Sequence, residues 1–126
     1  MKFLIVDDSA VMRKMIIKAL TEVDFPGSSF TEATDGDDAV AQFQPQAFDV
    51  ALVDWNMPKM LGIDCVRELR ARDKKITILM VTTEVGITNV QQAKKQDVDG
   101  YVGKPFDSKT LTAKIKRAIE DSRWRR

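Results

Sequence analysis

Three features of the chain predict an α/β domain built on a doubly wound parallel sheet of five strands. Apolar runs too short for buried helices recur along it, stretches of helical apolar spacing separate them, and the runs end on polar residues, aspartate above all. A parallel sheet covered on both faces needs that alternation, with right-handed crossovers. At 126 residues, 44% hydrophobic and 31% charged, the chain fits one such domain and leaves no room for a second of ordinary size. Residues 1–126 are therefore expected to form one domain, with no separate output domain.

The elements follow in order. Leu4-Ile5-Val6 is a strand ended by Asp7-Asp8. From Ala10, the residues Val11, Met12, Met15, Ile16, Ala19, Leu20 and Val23 recur at helical spacing and predict the buried face of a helix. Arg13, Lys14 and Lys18 are expected to turn elsewhere, and Ser9 or Asp8 is placed to cap the start. Asp24-Phe25-Pro26-Gly27 breaks the pattern. Ser29–Ala33 is a second, weaker strand, and Asp37–Phe43 a short helix stopped before Pro45. Phe48–Val53 is nearly all apolar, ends at Asp54 and reads as the central strand. An amphipathic helix over Gly62–Arg72 carries Ile63, Val66 and Leu69 on one side. Ile76–Val81 is the next strand, running into Thr82 and Thr83. A helix over Ile87–Gln96 precedes the strand Gly100–Gly103, and the last helix spans Ser108–Ser122 with Leu111, Ile115, Ala118 and Ile119 inward.

Composition closes off several chemistries. There is no histidine, which removes His-based triads, histidine zinc sites and histidine phosphocarriers. The single Cys65 lies in an apolar and basic helical stretch and reads as a buried small side chain. Neither GxGxxG nor GxxxxGK[ST] follows the first strand, which argues against a dehydrogenase or a P-loop ATPase. The opening apolar run stops at Asp7, too short for a signal peptide, and no transmembrane segment is expected, so a cytoplasmic protein is predicted. Overall charge is balanced, 20 basic against 19 acidic, and does not point to nucleic acid. The halves differ: residues 1–64 hold 5 basic and 11 acidic groups, residues 65–126 hold 15 and 8. An acidic centre early and a basic surface late are expected.

Asp7, Asp8, Asp54, Thr82 and Lys104 each lie at or just past the carboxyl end of a predicted strand. Parallel topology carries all five to one edge, where α/β sheets place their ligands. Three carboxylates packed together repel one another unless a cation is bound among them, and Mg²⁺ suits oxygen donors of that number. Lys104 has no lone pair for a metal but can pair with a carboxylate or a phosphoryl oxygen, and Thr82 offers a hydroxyl. The set describes phosphoryl transfer in which Asp54 becomes an aspartyl phosphate.

Four segments carry a resemblance: Phe3–Ser9 (FLIVDDS), Val53–Pro58 (VDWNMP), Met80–Thr82 (MVT) and Gly100–Phe106 (GYVGKPF). In this order and spacing they resemble the receiver domains of two-component response regulators, most closely the single-domain chemotaxis members, over residues 2–121. The resemblance implies a flavodoxin-like (βα)5 fold with strand order 2-1-3-4-5. It implies Asp54 as phosphoacceptor, and Mg²⁺ held by Asp7, Asp8, Asp54 and the backbone carbonyl of Asn56. It further implies that Thr82 and Lys104 contact the phosphoryl group, that Thr82 and Tyr101 form the switch, that Lys104-Pro105 is cis, and that Asn56 and Glu84 position the water that removes the phosphoryl group. Phosphorylation would then repack the surface of the fourth helix, fifth strand and fifth helix. The implied partners are a histidine kinase of chemotaxis type, a flagellar motor switch or other chemotaxis target, and a phosphatase, met by a monomer. Such a protein is a slowly self-dephosphorylating signal carrier, not an enzyme.

The sequence departs from the pattern in two places and adds a tail. Leu61-Gly62 stands where Asp-Gly is usual, and Asp97-Val98 where Gly-Ala is usual. The basic segment at 122–126, with Arg123, Trp124, Arg125 and Arg126, reads as a solvated terminus, with Trp124 suited to an adhesive contact with an acidic partner, a nucleotide or a membrane surface. A phosphorelay intermediate or phosphate sink is the alternative reading. A metal-dependent phosphohydrolase is remote, because Asp54-Trp55-Asn56 lacks a second aspartate and no cap domain is present.

Overall fold

Each apolar run becomes a strand because the sheet is buried on both faces. A computed structural model gives the structure of residues 1–125; Arg126 lies outside the described residues. The strands are β1 (Lys2–Val6), β2 (Ser29–Ala33), β3 (Val50–Val53), β4 (Thr77–Thr82) and β5 (Gly100–Gly103). Between and after them come α1 (Ala10–Glu22), α2 (Gly36–Gln42), α3 (Gly62–Arg72), α4 (Ile87–Lys95) and α5 (Ser108–Asp121), and a 3-10 turn covers Arg123–Arg125. The sheet is parallel throughout, in the order β2-β1-β3-β4-β5. Among the described residues no helix is long and apolar enough to cross a membrane.

Strand side chains alternate between two cores. Leu4, Val6, Ala51, Val53, Ile78 and Met80 pack with Val66 and Leu69 of α3 and Ala93 of α4. Phe3, Ile5, Val50, Leu52, Leu79 and Val81 pack on the other face with Ile16 and Leu20 of α1 and Leu111 and Ile115 of α5. A period-two split of a continuous apolar run is what a doubly covered sheet demands.

Helix starts follow local chemistry. Ser9 Oγ accepts the Met12 amide at 3.1 Å, Asp35 Oδ1 the Asp38 amide at 2.8 Å, and Asp107 Oδ1 the Thr110 amide at 2.7 Å. Leu61, at the start of α3, makes no such bond, so the Leu-Gly departure costs that helix its side-chain cap. Asp97 adopts φ +59°, the left-handed region that glycine occupies without strain.

Three expectations are corrected. Val11 and Met15 do not face the core: they are 72% and 51% exposed, while Arg13, expected outside, is 9% exposed. Helical rotation sets positions 11 and 15 away from buried Ile16 and Leu20, while Arg13 lies at the flank of that inward face with carbonyl and carboxylate partners. Phe48 and Asp49 precede β3; Phe48 stacks on Phe43 at 5.8 Å between ring centroids and Asp49 accepts the Lys2 amide. The tail is not simply solvated, since Ser122 is fully buried and the Arg125 side chain is 8% exposed.

Candidate functional site

Register brings the site together. Val6 pairs with Ala33 and with Val53, so the residues that follow, Asp7 and Asp54, emerge side by side. Thr82 pairs with Gly103, which sets Lys104 beside Thr82, and the Lys104 amide donates to the Thr82 carbonyl at 2.9 Å. The Asp7 and Asp54 amides donate to the carbonyls of Ala33 and Val6, so both aspartates are anchored by the last rungs of the ladder.

One carboxylate oxygen from each of Asp7, Asp8 and Asp54 lies within 4.8 Å of the others. Asp7 and Asp54 are buried and Asp8 is exposed, so the cluster opens on one side. Lys104 Nζ stands 2.6 Å from Asp7 Oδ2 and 3.4 Å from Asp54 Oδ2. Backbone amides hold the other oxygens: Ser9 N–H donates to Asp7 Oδ1 and Trp55 N–H to Asp54 Oδ1, each at 2.8 Å. One ammonium thus faces three carboxylates, an excess of negative charge whose hard oxygen donors fit a divalent cation.

Burial raises the pKa of Asp54 above the ordinary carboxylate value, and the Asp7 charge adds to that; Lys104, the Thr82 hydroxyl and the Trp55 amide pull the other way. Gly62 keeps the backbone of this segment in place. A Cβ there would come within 1.9 Å of the Asp54 carbonyl oxygen, and the Gly62 amide donates to the Trp55 carbonyl at 2.7 Å. No residue but glycine fits that approach.

The remaining sequence-derived candidates rim the cluster. Thr82 is fully buried, its hydroxyl near enough to Asp54 to pull that carboxyl's pKa down and accepting the Glu84 amide at 3.1 Å. Asn56 Nδ2 donates to Glu84 Oε1 at 2.7 Å, a bridge from the β3–α3 loop to the β4–α4 loop. Tyr101 packs against the core, its hydroxyl donating to the Glu84 carbonyl, and burial raises its pKa. The Lys104-Pro105 bond is cis. Sequence reasoning did not single out Arg13 or the Ser9 and Trp55 amides. Helical periodicity placed Arg13 outward, and backbone donors carry no residue-type signal.

Residues 3–116 match the family model for the response regulator receiver domain. The chain is 41% identical over 122 residues to the chemotaxis protein CheY of Pseudomonas aeruginosa, covering 95% of this chain and 97% of that one. It is 37% identical to chemotaxis protein CheY-3 of Vibrio cholerae, covering 95% of this chain and 92% of the relative. Among solved structures, Vibrio cholerae CheY4 superposes with a TM-score of 0.83 at 36% identity, covering 93% of this chain and 97% of that one. A CheY-like receiver from Methanospirillum hungatei shares the fold at TM-score 0.85 and 24% identity.

Proposed function

The chain belongs to the response regulator receiver family, and on that premise we propose that it is a chemotaxis regulator of CheY type, phosphorylated on Asp54 by a histidine kinase. The observation that carries this is the Asp54 carboxylate itself: at the end of the central strand, beside two further carboxylates, with Lys104 3.4 Å from its Oδ2. It is a signalling phosphoacceptor rather than a classical enzyme. Residues 1–126 act as one receiver unit in the cytoplasm.

In the reaction an Asp54 carboxylate oxygen attacks phosphorus. The O–P bond forms as the P–N bond to the donor imidazole breaks, and the imidazole nitrogen keeps the electron pair and takes a proton. Lys104 and the Thr82 hydroxyl bind phosphoryl oxygens. Asp7, Asp8, Asp54 and the Asn56 carbonyl would hold Mg²⁺, which would supply charge neutralisation. Asn56 and Glu84 orient the water that later attacks phosphorus, breaks the acyl O–P bond and returns Asp54 as carboxylate. Movement of Thr82 toward the phosphoryl group alters the packing of Tyr101 and with it the α4–β5–α5 surface, which a flagellar motor switch or another chemotaxis target reads.

The test is intact-mass spectrometry after incubation with Mg²⁺ and acetyl phosphate. An adduct of about 80 Da that needs Mg²⁺ and is absent from Asp54→Ala is expected. A folded wild-type protein that gains no such mass, or an Asp54→Ala variant that still does, would overturn the reading.

A further inference from the structure

Arg13 is the one buried cation of α1, and its contacts converge on the acidic edge. From the first turns of α1 its Nη1 donates to the backbone carbonyl of Asp7 at 2.6 Å, while Nε donates to Glu32 Oε1 at 3.0 Å. Glu32 lies on β2, next to the strand that delivers Asp7, and its other oxygen accepts Lys14 Nζ at 2.7 Å. Those hydrogen bonds, Lys14 first, hold the Glu32 carboxyl below its usual range, so it stays charged as an anchor.

The acceptor of the Nη1 bond matters most. The Asp7 carbonyl and the Asp8 amide belong to one planar peptide unit. Fixing that oxygen fixes the plane, and the plane sets the direction in which Asp8 leaves β1. The Asp7 amide is already tied to Ala33, so Arg13 clamps the far side of the same residue. A guanidinium does this better than an ammonium because its planar fork meets two acceptors at fixed angles, with charge-assisted bonds to both.

We propose that Arg13 is a positioning residue for cation binding: it orients the Asp7–Asp8 peptide so that both carboxylates turn toward one ion, without touching that ion. This rests on the reading of Asp7, Asp8 and Asp54 as the divalent cation site. It places the support of the acidic edge in α1 and β2, on the opposite side from Lys104.

Trp55 gives a readout other than phosphorylation, because its indole is buried and its amide bonds the Asp54 carboxylate. With Trp124→Phe as background, MgCl₂ titrations followed by Trp55 fluorescence compare the parent with Arg13→Ala and Arg13→Lys. Loss of an outer partner of a metal ligand weakens affinity by about 10- to 100-fold, and Arg13→Ala is expected in that range. Arg13→Lys, which meets only one acceptor at a time, is expected to fall between. Added guanidinium ion should restore part of the Arg13→Ala affinity relative to NaCl at equal ionic strength, a recovery that a merely structural role would not produce. If folded Arg13→Ala binds Mg²⁺ as tightly as the parent, the inference fails while the cation site stands. Parent-like affinity in Arg13→Lys also overturns it, and is decisive if Arg13→Ala does not fold. A parent protein with no Mg²⁺ response removes the cation site and this inference with it.

Discussion

The two edges of the sheet solve the same electrostatic problem in opposite ways. At the carboxyl edge, Asp7 and Asp54 share one ammonium, and Asp8, beside them, remains exposed. At the amino edge, Asp99 sits between two guanidiniums. Its Oδ2 accepts Arg70 at 3.2 Å and the Ile78 amide at 3.0 Å, and its Oδ1 accepts Arg125. Arg70 also donates to the carbonyls of Ile76 and Asp97, at 2.6 and 2.7 Å. Beside them the buried hydroxyls of Thr77 and Ser122 meet at 2.7 Å. At the amino edge both oxygens of the buried carboxylate are bonded by the chain's own groups, with guanidinium in excess and Arg70 Nε left without a partner, whereas the carboxyl edge keeps carboxylate oxygens that the chain leaves uncompensated. Charge alone does not mark a ligand site; charge that the fold leaves unanswered does.

Replacing the central anion of the amino edge should produce the largest change in stability. Asp99→Ala leaves two buried guanidiniums without their carboxylate and is expected to lower stability by about 3–5 kcal/mol in chemical denaturation. The folded fraction should still gain the phosphoryl mass on Asp54. Loss of labelling from folded Asp99→Ala would break the separation between the edges.

At the carboxyl edge the sign should reverse. The folded pKa of Asp54 lies above its ordinary value of 3.8. The native state therefore holds this proton more tightly than the unfolded chain, and its contribution is present below that ordinary value and lost as pH rises through the folded pKa. Without divalent cations, Asp54→Asn is expected to be more stable than the parent at neutral pH, with a smaller gain at pH near 3.8. Denaturation curves at the two pH values check it, and a loss at neutral pH would show that Lys104 outweighs burial. The smallest effect belongs to Trp124, which is 75% exposed and lies under the Arg125 guanidinium at 4.7 Å. Trp124→Ala should shift stability by no more than about 0.5 kcal/mol.

What the sequence disclosed follows the same division. The strands were legible because burial on both faces leaves unbroken apolar runs, and the aspartates that end them point to one edge of a parallel sheet. Periodicity could not find Arg13, because a charged residue is assigned outward unless its partners are known. Those partners, Glu32 and the Asp7 carbonyl, come from other elements. Asp99 was equally silent: its guanidinium partners lie 26 and 29 residues away in the chain. Val11 and Met15 misled for the complementary reason: their apolar character suggests an inward face, but helical rotation turns them away from Ile16 and Leu20.

The places where the chain enters and leaves this fold have a practical meaning. Met1 starts beside β2, its carbonyl accepting the Ser29 amide, and Arg125 reaches Asp99 just ahead of β5. Both lie at the amino edge, because all five strands point the same way. A sensor chip or bead coupled at position 1 or 124, both exposed, would therefore hold the protein with its aspartate cluster facing solution. Immobilised protein is thus suited to measuring phosphodonor and cation binding, with the attachment chemistry kept a full strand length from the reacting carboxylate.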